Sequence, residues 1–101
     1  MTESEFKRLA AEAAKSKASA LFLGTHAKQR MIERDITITQ IKRVLVKGRI
    51  TEGPYETPSG DWKGNFRATD AGQDIEVVVA LKITNGVKAF IITVIDKRRS
   101  W

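Results

Sequence analysis

Cysteine is absent from this 101-residue chain and histidine occurs once. Without thiols there is no disulfide framework and no thiolate metal ligand, and one imidazole falls short of the four nitrogen or sulfur ligands of a structural zinc centre. Any catalysis is therefore expected to be metal-free, with no cofactor. No apolar run approaches the roughly 18 residues of a membrane span, and Met1–Thr2–Glu3–Ser4–Glu5 is acidic where an export signal would be basic. The expectation is a cytoplasmic protein that uses no membrane. No internal repeat or low-complexity stretch interrupts the chain, so the whole of 1–101 reads as one domain with one modest core.

Positive charge, in contrast, is abundant. Eighteen Lys and Arg against twelve Asp and Glu give a net charge of +6. Such a field favours RNA, DNA or an acidic protein as partner, and surplus lysine also serves solubility. With 42% hydrophobic and 30% charged residues, the composition is that of a folded globular protein.

Thr2 and Glu5 form a capping-box pattern, followed by Phe6, Leu9, Ala10, Ala13 and Ala14 at helical spacing, which predicts a helix over about 3–20. Leu21–Phe22–Leu23 then meets Gly24, read as the end of this element. Thr25 is the expected N-cap of a second helix over 26–34. A third helix is marked by Thr37 and Gln40 as capping box and by Ile36 with Ile41 as hydrophobic staple. Its core stripe reads Ile38, Ile41, Val44 and Leu45, and Gly48 is its C′ residue.

From Arg49 the pattern changes to short β-type runs, predicting strands at 49–56, 62–69, 74–84 and 87–96. The last two flank Asn85–Gly86, a preferred type I′ turn, and their near-continuous apolar runs place this hairpin at the sheet's centre. The expected fold class is α+β, with N-terminal helices on one face of a mainly antiparallel four-stranded sheet. The tail Lys97–Arg98–Arg99–Ser100–Trp101 suits phosphate contact plus stacking, or is simply a frayed end.

His26, Arg30 and Arg34 fall one helical turn apart, so an imidazole and two guanidiniums share a face. Arginine offers a planar fork matched to phosphodiester oxygens, and histidine exchanges protons near neutral pH. Together they suit metal-free RNA cleavage, in which a base takes the ribose 2′-OH proton and cations stabilise the phosphorane. A purely structural reading stands beside it: His26 hydrogen-bonded to local backbone, and Arg30 and Arg34 paired with Glu33 or with strand carboxylates. Glu33 either steadies Arg30 or is a solvated neighbour. On the strands, Arg67 is the preferred third cation, on the polar face it shares with Asn65 and Thr69. Tyr55, Lys63 and Thr93 are secondary candidates, each also readable as an ordinary exposed strand residue. Trp62 reads as packing over a hairpin end.

The string His26–Ala27–Lys28–Gln29–Arg30–Met31–Ile32–Glu33–Arg34, with Gly48–Arg49–Ile50 and Ile92–Thr93–Val94 downstream, resembles the signature of the domain of unknown function 4258 family over about residues 21–96. That family is similar to the RelE/ParE and BrnT groups of bacterial toxins, small basic domains with helices packed on an antiparallel sheet. Many of those cleave messenger RNA and others inhibit gyrase. The resemblance implies a RelE/BrnT-like fold and a toxin-like, metal-independent endoribonuclease acting on RNA. In it His26 would be general acid or base, Arg30 and Arg34 would hold the phosphate, and Arg67 would assist. It also implies an acidic or DNA-binding antitoxin as partner. The alanine-rich first helix is an addition to the family pattern, and Ile95 stands where the late strand often carries an aromatic. Two other readings use the same basic surface: a non-catalytic nucleic-acid-binding module, and an inhibitor-type domain that engages an acidic protein.

Overall fold

A computed structural model describes residues 1–16 and 20–97. The elements run α1 (Glu3–Lys15), β1 (Leu21–Leu23), α2 (Thr25–Arg34), α3 (Ile38–Lys47), β2 (Arg49–Glu56), β3 (Trp62–Asp70), β4 (Gln73–Ile83) and β5 (Val87–Asp96). They form an α+β fold whose sheet has five strands in the order β1-β5-β4-β3-β2.

The sheet is mainly antiparallel as expected but has five strands, which corrects the expectation of four. Leu21–Phe22–Leu23 is not the end of a helix but a strand, parallel to β5 in the register Leu21↔Ala89, Phe22↔Phe90, Leu23↔Ile91. The first helix stops at Lys15, where Ser16 turns extended as its C-cap, and not at residue 20. The expected helical residues 17–19 lie outside the described residues, as do residues 98–101 of the basic tail. A three-residue strand is too short to display a period of two. What makes it a strand is the free edge of β5, whose backbone groups it satisfies.

The other three pairings are antiparallel, and β4 lies at the centre of the sheet. Strand alternation separates two faces. Phe66, Ile75, Val77, Val79, Leu81, Ala89, Ile91 and Val94 are buried and form one core with Phe6, Ala10, Ala13 and Ala14 of α1, Ala27 of α2, and Ile41, Val44 and Leu45 of α3. Trp62 is half-buried against this core. Lys63, Asn65, Arg67 and Thr69 alternate with these inward residues and so point to the face without helices, where Phe22 stacks on Phe90 with ring centroids 5.1 Å apart. The helices thus share one side of the sheet.

Capping explains the helix boundaries. Thr2 Oγ1 accepts from Glu5 N at 3.1 Å. For α3 the capping box is complete, with Gln40 N donating to Thr37 Oγ1 and Thr37 N donating to Gln40 Oε1. Ile36 and Ile41 are both buried beside it, as a staple requires, whereas Ile38 is 40% exposed and leaves the expected core stripe. In α2, Gly24 is the N-cap without a side-chain bond and Thr25 is the first helical residue, a shift of one from the expected cap. The left-handed C-cap falls at Asp35 (φ 53°), not at Gly48, whose backbone is extended. Gly48 answers to space instead: a Cβ there would lie 2.4 Å from the Val44 carbonyl oxygen. In the last hairpin Ile83 pairs with Val87, leaving a three-residue loop Thr84–Asn85–Gly86 in place of the expected two-residue turn, with positive φ at both Asn85 and Gly86.

Candidate nucleic-acid interface

α2 packs on β5 through Ala27, which is fully buried. With that residue turned inward, His26 is exposed in the first turn, while Arg30 and Arg34 are half-buried further along the same helix. His26 makes no side-chain hydrogen bond to another described residue, so the reading in which local backbone occupies it does not hold there. Arg30 does take the structural option: its Nη1 donates to both carboxylate oxygens of Glu33. Arg34 does not. Its Nε is buried without a hydrogen-bond partner, and no carboxylate among the described residues pairs with its guanidinium.

The end of α2 is held by residues that sequence spacing did not single out for this role. Gln73 Nε2 donates to the Arg34 carbonyl oxygen at 3.1 Å, and Gln73 Oε1 accepts from Gln40 Nε2 at 2.7 Å. The capping box of α3 is thereby tied through one side-chain amide to the last turn of α2. Gln40 was legible as a cap. Gln73, 33 residues away, carries no local signal at all.

Arg67 is placed elsewhere. β3 lies two strands from β5, about 10 Å away at ordinary strand spacing, and Arg67 points to the opposite face from the helices. It forms a two-pronged pair with Asp74, Nε to Oδ1 at 2.9 Å and Nη2 to Oδ2 at 2.6 Å. These bonds hold the Asp74 carboxyl below its ordinary value of 3.8 and raise the Arg67 guanidinium above its own. The structure therefore does not bring Arg67 to the α2 face, and the expectation of a third cation there is corrected. Tyr55 and Lys63, paired across β2 and β3, lie on the same far face as Arg67, as does Thr93 opposite Val78. The carboxylate of Glu76, buried on that face, accepts from Asn65 Nδ2 at 2.8 Å.

A second cationic cluster lies on α3. The buried carboxylate of Asp70, at the end of β3, accepts from Arg43 Nε at 2.8 Å, Arg43 Nη2 at 2.9 Å and Lys47 Nζ at 3.0 Å. The Arg43 bonds, followed by that of Lys47, push the Asp70 carboxyl below 3.8 against the opposing effect of burial. Neither cation was singled out from the sequence, since their common anion is more than twenty residues away. Among the described residues no cluster of His, Asp and Glu is arranged to hold a metal ion, and no helix is long and apolar enough to cross a membrane.

The family model for the domain of unknown function DUF4258 matches residues 23–96. The chain belongs to the DUF4258 family. The matched span runs from the end of β1 to the end of β5 and contains the whole of α2, so the His26–Arg30–Arg34 face is part of the family's domain. α1 lies outside it yet supplies four buried residues to the core. Neither a curated protein nor a solved structure matches the chain.

Proposed function

We propose that this DUF4258 domain is an RNA-directed, toxin-like endoribonuclease that works without a metal, with the substrate backbone on the α2 face. The observation that carries this reading is Arg34, a half-buried guanidinium that no carboxylate among the described residues pairs with, two turns along the helix from an exposed histidine. The rest of this half-buried guanidinium keeps solvent access, and a phosphodiester oxygen would give it the anionic partner that no described carboxylate supplies. Arg30, steadied by Glu33, adds a second cation, and His26 is free to exchange a proton with the ribose 2′-OH or the leaving 5′-oxygen. The overall charge of +6 would draw the polyanion in. A RelE/BrnT-like relationship and a neutralising antitoxin belong to the same proposal.

The test is incubation of the protein with total RNA and a defined oligonucleotide in EDTA, with the product ends identified. The parent is expected to leave a 2′,3′-cyclic phosphate. His26→Ala should retain the RNA but lose about 10²–10⁴ in rate, the usual contribution of a positioned acid or base. Cleavage by His26→Ala at the parental rate overturns the role of the histidine.

One observation favours a second reading, a nucleic-acid-binding module that does not cleave. With Arg67 committed to Asp74 on the far face of the sheet, His26, the one histidine of the chain, stands on the α2 face without a second imidazole to share acid and base roles. In that case RNA is retarded in a gel with its length unchanged, and retention falls steeply with salt.

A further inference from the structure

The packing of α1 against α3 leaves a groove of about 280 Å³ bordered by Ala14 and Lys15 of α1 and by Lys42, Arg43, Val46 and Lys47 of α3. Its two components differ in chemistry. The floor is apolar: Ala14 is buried beneath it, and Val46, at 41% exposure, stands open in it. Among the described residues the rim carries four cationic side chains and no carboxylate.

Two of those cations are held in place. Asp70, buried beneath α3, fastens Arg43 by two bonds and Lys47 by a third. Its single negative charge leaves this trio with a net positive charge, to which Lys15 and Lys42 add. The guanidinium and ammonium are thus positioned before any partner arrives, which reduces the ordering cost of binding.

We propose that this α1–α3 groove is a docking site for an acidic peptide segment that carries an apolar side chain. Carboxylates would meet the Lys15, Lys42, Arg43 and Lys47 rim, and the apolar side chain would lie on Val46. Charge complementarity selects the sign of the partner, and the floor selects its class. Among the described residues a nucleic acid would find cations for its phosphates but no aromatic ring lining the groove on which to stack a base, and the floor would be left against sugar and solvent. An amphipathic acidic segment uses both parts of the groove.

The site is separate from the α2 face, so its test stands apart from the RNA experiment. The probe is a fluorescent, end-capped peptide of Glu and Leu patterned as an amphipathic helix, titrated with the full chain and read by polarisation. Two control peptides replace Leu with Ser or Glu with Lys. Saturable binding that weakens with salt is expected for the Glu/Leu peptide. Val46→Glu and Lys42→Glu are each expected to weaken it about tenfold or more. Both replace side chains with solvent access, and circular dichroism checks that the fold is kept. Arg34→Ala, on the other surface, should bind the peptide as the parent does.

Equal binding of the Leu-to-Ser peptide would reduce the groove to a nonspecific field and overturn the proposal. So would undiminished binding by Val46→Glu, or the absence of saturable binding. Loss of RNA retention in Val46→Glu and Lys42→Glu, with no peptide binding by the parent, would assign the groove to nucleic acid instead. An RNA experiment that fails while the peptide binds leaves this site standing and removes only the reading of α2.

Discussion

The ring of Phe6 lies on that of Phe66, with centroids 5.3 Å apart and planes inclined by 15°. Both side chains are fully buried, and the contact brings α1 so close to β3 that a Cβ on Gly64 would stand 2.7 Å from Phe6 Cε2 and 2.9 Å from the Glu52 carbonyl oxygen. The helix outside the family match is therefore built into the core, and the bare backbone of Gly64 is what admits it.

Removing the ring or closing the space should both destabilise the fold. Phe6→Ala is expected to cost about 3–5 kcal/mol, the usual range for deleting a buried aromatic. Gly64→Ala should cost about 1–3 kcal/mol by overpacking, part of it recovered by Phe6→Leu, since the clash with the Glu52 carbonyl would remain. Urea denaturation of the two single variants and of the Gly64→Ala, Phe6→Leu double variant measures this.

Gln73 links the capping box of α3 to the Arg34 carbonyl. Gln73→Ala should lower stability by about 1 kcal/mol, as for one hydrogen-bonding group removed. Amide exchange should quicken in the last turn of α2. If the last turn of α2 exchanges no faster, the link does not hold it.

The depressed carboxyl of Asp70 makes a signed prediction for acid stability. A group whose folded value lies below its unfolded value stabilises the native state above the unfolded value, here near 3.8, and that contribution fades as pH falls through the folded value. Asp70→Asn should therefore be less stable than the parent at neutral pH, with the gap narrowing below pH 3.8. Thermal midpoints measured across that interval test it, and a gap that widens on acidification contradicts it.

Arg34 should show a conflict between stability and binding. Its half-buried charge has no counter-ion among the described residues, so Arg34→Met is expected to leave stability unchanged or raise it by about 1 kcal/mol while removing RNA retention. Arg67→Met, on the far face, should instead lose stability with its Asp74 partner stranded, and keep RNA retention. Thermal melts beside gel retardation separate the two.

Much of this molecule was decided within short stretches of chain. Thr37 with Gln40, Ile36 with Ile41, and the apolar runs of β4 and β5 act over a few residues, and the α+β class and the four long strands followed from them. The shared helix position of His26, Arg30 and Arg34 is likewise a matter of 3.6-residue periodicity. What only the tertiary structure decided are the relationships between residues far apart in sequence. The free edge of β5 turned Leu21–Leu23 into a parallel strand, and Asp70 gathered Arg43 and Lys47 from α3. Asp74 was near Arg67 in sequence, but the direction of that strand relative to the helices set which face the pair occupies. Local propensity holds no record of which side of a sheet its helices will cover, because that choice rests on burial summed over the whole core.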